Sequence, residues 1–432
     1  MRRAWIALVV LAALSSGATP AAAGLSGLEA WDWVPASSPG TNVRLLDVVK
    51  VDGKVWAVGN AAPDPLTVRW NGTSFARVAI RGLASRNDVL EGIDGTTAND
   101  LWAVGHADRL DFVGSLSLAY HWNGTSWTRI PTPNAGDSES ANDLLAVAAV
   151  SSSDVWAVGR FTDVSTSRAV TLHWNGVAWR RVANTCGPGL NGVTALSSSN
   201  VWAVGGKVLC HWNGSRWTAQ TAPQVPGRLT DLQDIDGVPG ALWAVGLESA
   251  SCGEGVCPSG IVLRRTASGW IREVEGYGLR GISVASSSDV WAVGSWAFGP
   301  LLLHRDATSW RPAPTPDTPG IGALEAVDAR GSGFDWAVGK QLISGTTETL
   351  ALIAPSPRSG AIDGQTSSNA TVTWLGPEDG SVDADQFGHF QAGGLDAGRY
   401  TFIASRQGCT PANRTLDVTA GTTKVITISP QC

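Results

Sequence analysis

An all-β chain built on a repeated four-stranded unit is the fold class this sequence predicts, on three observations. The tetrapeptide Trp-Ala-Val-Gly occurs seven times, starting at Trp56, Trp102, Trp156, Trp202, Trp243, Trp291 and Trp336. Its successive starts lie 46, 54, 46, 41, 48 and 45 residues apart, and the intervals read as short strands separated by turn residues. The last unit is one strand short, and a matching piece stands at the other end of the chain. Self-similarity at this period with strand-like content is the mark of a β-propeller. The expected architecture is a seven-bladed β-propeller closed by the N-terminal strand, plus a small C-terminal β-sandwich.

The unit around Trp156 shows the reasoning. Residues 145–150 read as a first strand, 151–154 as a polar turn, 155–159 as a second strand, 169–174 as a third and 177–182 as a fourth. Asn175-Gly176 favours a type I′ hairpin, whose two central residues both need positive φ. Side chains alternate across a strand, so Trp156 and Val158 share one face while Val155, Ala157 and Gly159 share the other. A blade can then set its large side chains against its neighbour's shallow face. Burying an indole of roughly 150–250 Å² is worth at most about 4–6 kcal/mol at ~25 cal/mol per Å².

A second aromatic element is the hairpin Tyr120-His-Trp-Asn-Gly-Thr-Ser-Trp127. A two-residue turn there sets Trp122 opposite Thr125 and Tyr120 opposite Trp127. Related versions are Arg69-Trp-Asn-Gly72, His173-Trp-Asn-Gly176 and His211-Trp-Asn-Gly214, decaying to Thr266-Ala-Ser-Gly269 and His304-Arg-Asp-Ala307. Repetition assigns these Trp and His residues to the scaffold. The seventh unit has no closing Trp, whereas Trp31-Asp-Trp-Val-Pro35 matches Trp127-Thr-Arg-Ile-Pro131 in spacing. The N-terminal piece is therefore expected beside residues 347–353, which removes an open sheet edge.

Composition frames the rest. The chain has 432 residues, 43% hydrophobic and 16% charged, with a formal charge of −6, which argues against nucleic acid as a partner. Residues 1–23 read as a signal peptide: Arg2-Arg3, an apolar stretch from Trp5 to Leu14, and Ala21-Ala-Ala23 before Gly24. No later apolar run is long enough to span a bilayer, so a secreted protein, extracellular or periplasmic, is expected. Six cysteines suit an oxidising compartment but leave connectivity open. Cys252 with Cys257, Cys409 with Cys432 and Cys186 with Cys210 is one economical set; a metal site is the rival, but no His clusters with these thiols. No metal or other cofactor is expected. Asn71, Asn123, Asn213, Asn369 and Asn413 open Asn-x-Ser/Thr tripeptides, the first three better read as turns.

The expected boundaries are a signal peptide at 1–23, the propeller at 24–354, a linker at 355–360 and a second β unit at 361–432. Asp385-Gln-Phe-Gly-His-Phe390 followed by Leu395-Asp-Ala-Gly-Arg-Tyr400 resembles the carboxypeptidase regulatory-like (transthyretin-like) β-sandwich. That resemblance, over roughly 358 to 430, implies an accessory domain without catalytic residues. Asp383 and Asp385 read as turn residues rather than cation ligands. The Val-Trp-Ala-Val-Gly strands and His-Trp-Asn-Gly-x-x-Trp hairpins, over 31 to 354, resemble the Trp-rich repeat propellers of secreted bacterial proteins and, more loosely, tectonin-like lectins. Fold does not by itself assign an activity.

The turns from strand one to two and three to four are short and regular. The connections from two to three and between units are long and irregular, so one end of the sheets carries the variation, where binding loops usually sit. There the aromatic and charged candidates for ligand contact are Trp296 and Phe298, Tyr277, Arg109 and Phe112, and Phe161, with Asp108 and Asp163 nearby. The reading they support is a monomeric, non-catalytic secreted protein that binds carbohydrate, another extracellular polymer or a protein. The alternatives are a propeller glycoside hydrolase or lyase and a purely structural interaction module. Glycoside hydrolysis needs two carboxyl groups at a set separation, and no pair is singled out. Asn123-Gly-Thr-Ser-Trp127 is similar to a sialidase Asp-box but one residue short and without its leading Ser.

Overall fold

A computed structural model describes residues 31–33, 43–72, 74–80, 88–108, 114–252, 255–275, 278–296, 299–306, 309–315, 321–330, 334–343, 346–355, 360–375, 380–395, 398–419 and 422–432. Among them every regular element is a β-strand. Ala141–Ser151, Asp154–Thr162, Ser167–Trp174 and Trp179–Arg181 form one antiparallel sheet in chain order. Sheets of the same order begin with first strands Val43–Val51, Val89–Thr97, Gly192–Ser197, Arg228–Val238 and Gly278–Ser286. In the last such sheet, Ile321–Asp328, Phe334–Ile343 and Thr346–Pro355 are joined by Asp32–Trp33, with Asp32 opposite Ile353 and Trp33 opposite Leu352. These four-stranded antiparallel sheets fit a β-propeller.

The tetrapeptide owes its glycine to a close approach. Gly159 pairs with Leu144 beside a bulge in the first strand, and a Cβ built on it would lie 2.0 Å from the Asp143 carbonyl. Gly105 repeats this, 1.9 Å from the Val89 carbonyl, so no larger residue fits either position. The Trp and Val of the tetrapeptide face the next sheet. Trp102 and Val104 pack on Val155 and Ala157, and Trp156 and Val158 on Val201 and Ala203. Trp336 and Val338 of the last sheet pack on Val55 and Ala57 of the first. Trp31 is buried against Trp291, ring centres 5.3 Å apart.

The hairpins correct one expectation. Trp122 pairs with Trp127 and Tyr120 with Arg129, across a four-residue loop rather than a two-residue turn. Gly124 has φ +91°, but among the described residues the only non-glycines at positive φ are Asp52 and Asn369, so Asn123 is not in a type I′ turn. Instead its Oδ1 accepts the N–H groups of Thr125 and Ser126, both at 3.0 Å. Asn175 and Asn213 do the same, holding wider loops through the side chain. The fourth strand consequently starts at Trp179, two residues after the expected 177.

Disulfides join Cys186 to Cys210 and Cys409 to Cys432, with Cα atoms 5.7 and 4.3 Å apart. The side chains of Cys252 and Cys257 lie outside the described residues. Beyond residue 360, Gly360–Gln365 lies between His389–Leu395 and a parallel Thr423–Thr427. Thr371–Leu375 lies between Gly380–Asp383 and Gly398–Ser405, with Ala412–Val418 at the edge. Both sheets feed one core containing Ile362, Phe390, Tyr400 and Phe402. Asp385 accepts the N–H groups of Phe387 and His389 at 2.8 and 2.9 Å, and these bonds, that from His389 foremost, pull its pKa down. That carboxylate closes its own turn.

Candidate functional site

Antiparallel order places the first-to-second and third-to-fourth turns of every sheet at one end and the second-to-third connection at the other. Trp296 sits at the latter end. It is the last residue of Asp289–Trp296, pairs with Gly299 across the hairpin, and is 64% exposed. Phe298, Tyr277, Arg109 and Phe112 lie outside the described residues. Phe161 is a correction: it is 1% exposed, in a core with Val170 and Ala135, with the Arg168 guanidinium 4.5 Å from its ring centre. Its strand runs on to Thr162, and Ala135 and Gly136 lie against the ring, so no face is left for a ligand. Asp163 caps a turn through Ser165 and Thr166, whose hydrogen bonds push its carboxyl down to about 2.

The repeated histidines are scaffold. His121 and His173 bond Asp100 and Asp154 at 2.7 and 2.8 Å and lie over Trp102 and Trp156 at 4.6 and 4.5 Å.

A site not foreseen from sequence lies where the first strands face one another. They enclose a cavity of about 230 Å³, lined by Asp47, Asp94, Asp234, Asp236 and Arg330 together with mostly aliphatic residues. Asp328, 1% exposed, accepts Arg330 Nε at 3.4 Å, and the guanidinium also comes within 4.0 Å of Asp94 and 3.9 Å of Asp236. The carboxylates that share it hold the Arg330 pKa well above its ordinary value. Burial pushes Asp47, Asp94 and Asp236 upward, and Asp234 to about 6, with Asp236 adding repulsion to Asp234.

Each of these carboxylates also bonds backbone of an adjacent sheet. Asp47 accepts Ile93 N at 2.8 Å, Asp94 accepts Ala149 N at 2.9 Å, and Asp234 and Asp236 accept Ile282 N and Val284 N at 2.9 and 2.8 Å. Asp328 accepts Lys50 N at 2.7 Å, linking the last sheet to the first. The cluster therefore ties sheets together through charge-assisted hydrogen bonds. Among the described residues no group of three or more His, Cys, Asp or Glu is arranged to hold a metal ion. The sequence signal that was missed is the phrase Leu-x-x-Ile/Val-Asp, at Leu90–Asp94, Leu232–Asp236 and Leu324–Asp328.

The raised pKa has a checkable consequence. The folded state keeps the Asp234 proton between its ordinary value of 3.8 and about 6. This group's contribution to stability is thus complete below 3.8 and lost as pH rises through about 6. A carboxyl carbon resonance titrating near pH 6 is expected by NMR and should vanish in Asp234→Asn. A midpoint at the ordinary aspartate value would refute the assignment.

No family model matches the sequence, and no curated protein matches it. Among solved structures, the RRP9 WD40 repeats superpose with a TM-score of 0.49 at 13% identity, covering 74% of this chain and 98% of that one. YjhT superposes with a TM-score of 0.41 at 11% identity, over 65% of this chain and 99% of that one.

Proposed function

We propose that this chain is a seven-bladed propeller, closed by its N-terminal strand and followed by a carboxypeptidase regulatory-like sandwich over 361–432. We further propose that it is a secreted, non-catalytic binding protein for carbohydrate or another cell-surface polymer. The architecture is supported by the succession of Trp-centred cores, the last of which joins the final sheet to the first. Two disulfides fit an oxidising compartment, and no described helix is long and apolar enough to cross a membrane.

The observation that carries the binding reading is Trp296, a large ring 64% exposed at the irregular end of its sheet. An indole exposed to this extent at a hairpin presents apolar surface suited to the C–H face of a sugar. On a glycan array the wild-type chain is expected to bind, and Trp296→Ala to lose about tenfold or more in affinity, a change of ~1.4 kcal/mol. Its unfolding free energy should stay within about 0.5 kcal/mol of wild type, as for an exposed substitution. An array blank for the wild type, or blind to the substitution, would overturn the reading in favour of a protein-interaction module.

A further inference from the structure

At the regular-turn end of the sheets, two departures from the repeat fall together between the fourth and fifth sheets. The residue ending the third strand is Trp in the first four sheets, and its ring covers the tetrapeptide Trp of the preceding sheet. Trp70 lies on Trp336, Trp122 on Trp56, Trp174 on Trp102 and Trp212 on Trp156, all 4.8–5.0 Å between centres. In the fifth sheet that position is Arg265, whose guanidinium stands 5.0 Å from the ring of Trp202. The second change, in the adjoining fourth sheet, is the partner of the stacked histidine, an aspartate at Asp100, Asp154 and Asp289 but Asn200 at 2.9 Å from His211.

The sixth sheet also carries an arginine, Arg305, but uses it fully. Arg305 is buried, bonds Glu273 at 3.2 Å and the Ser287 carbonyl at 2.8 Å, and lies over Trp243. Arg265, by contrast, has ring contacts with Trp202 and Trp270 and no carboxylate within ion-pair distance among the described residues. Beside Arg265 there is a cleft of about 680 Å³, lined by Trp202, His211, Asn200, Arg264 and Arg265 together with Leu242. Pockets for small ligands run to about 300–1,000 Å³. Arg264 is already engaged by Glu273, which leaves Arg265 as the cation able to receive a ligand.

We propose that this cleft between the fourth and fifth sheets binds a small organic anion, a ring-bodied carboxylate or phosphate, through the Arg265 guanidinium. The planar fork pairs with such oxyanions through two N–H donors. A sugar-sized body is within the capacity of this cleft. Loss of the aspartate at position 200 removes the charge that would compete for Arg265. Burial, helped by Arg265, lowers the His211 pKa, so the ring adds no second cation.

The test is ligand titration followed by NMR of the His211 ring, with glucuronate, glucose 6-phosphate and neutral glucose as probes. One or both acids are expected to bind and to raise the His211 pKa by neutralising Arg265, with glucose at least about tenfold weaker. The two acids separate a carboxylate from a phosphate source. Arg265→Ala should weaken binding about tenfold or more, the worth of hydrogen bonds to a charged group. Arg265→Trp restores the residue the earlier sheets carry, so it should fold with an unreduced melting temperature and not bind. Binding retained in a folded Arg265→Trp, glucose as good as the acids, or no shift at His211 with either acid would overturn the proposal.

Discussion

Replacing Trp336 by alanine is expected to cost about 3–5 kcal/mol of unfolding free energy, the usual range for removing a buried tryptophan. Trp336 is 1% exposed and lies between the last and first sheets, its ring centre 4.8 Å from Trp70 and 5.3 Å from Phe75, both near edge-on. Those two rings come from residues far away in sequence, so the contact also holds the first and last of the repeated sheets together. The cavity left behind cannot be refilled by a backbone pinned in paired strands on both sides. Urea denaturation gives the measurement. A loss below about 1 kcal/mol would mean that the final sheet is not held on the first by this packing.

Glu248→Ala is expected to cost a similar amount, about 3–5 kcal/mol, through unpaired charge rather than a void. The Glu248 side chain is 0% exposed and accepts Arg228 at 3.2 Å, Thr230 at 2.9 Å and Arg272 at 3.0 and 2.7 Å. It thereby connects the first, second and fourth strands of its sheet, and Arg272 reaches on to the Pro223 carbonyl. Truncation leaves two guanidinium groups around an empty centre. Burial alone would raise the Glu248 pKa, but the bonds from Arg272, Thr230 and Arg228 outweigh it and set the pKa below the ordinary 4.5. The stability it confers is present above pH 4.5 and declines as pH falls through its folded value. The gap between wild type and Glu248→Ala in thermal melts should therefore be widest near neutrality and narrow in acid. A gap unchanged by pH would show that the loss is one of volume, not charge.

The contrast between these residues and the cavity carboxylates explains what sequence reasoning reached. The Trp-Ala-Val-Gly strands were legible because period-two alternation and a recurring glycine are local signals, and each strand lies where its own residues direct it. Asp47, Asp94, Asp234, Asp236 and Asp328 carry no such signal singly. They meet only because separate first strands face one cavity. Phe161 was misread for the same reason: its surroundings come from residues such as Ala135 and Val170 rather than from its own strand. The hairpin register was misread for a local reason, since Asn-Gly also suits a loop held by the Asn side chain.

By itself, the sequence determined that this is an all-β chain of repeated four-stranded units, because alternation, turn residues and the crowded glycine act within a few residues of one another. Only the tertiary structure decided which polar groups share a cavity, which rings are covered, and where one arginine stands over a tryptophan with no counter-charge among the described residues. Those outcomes depend on burial and on distances between segments remote in the chain, and no short-range pattern encodes them.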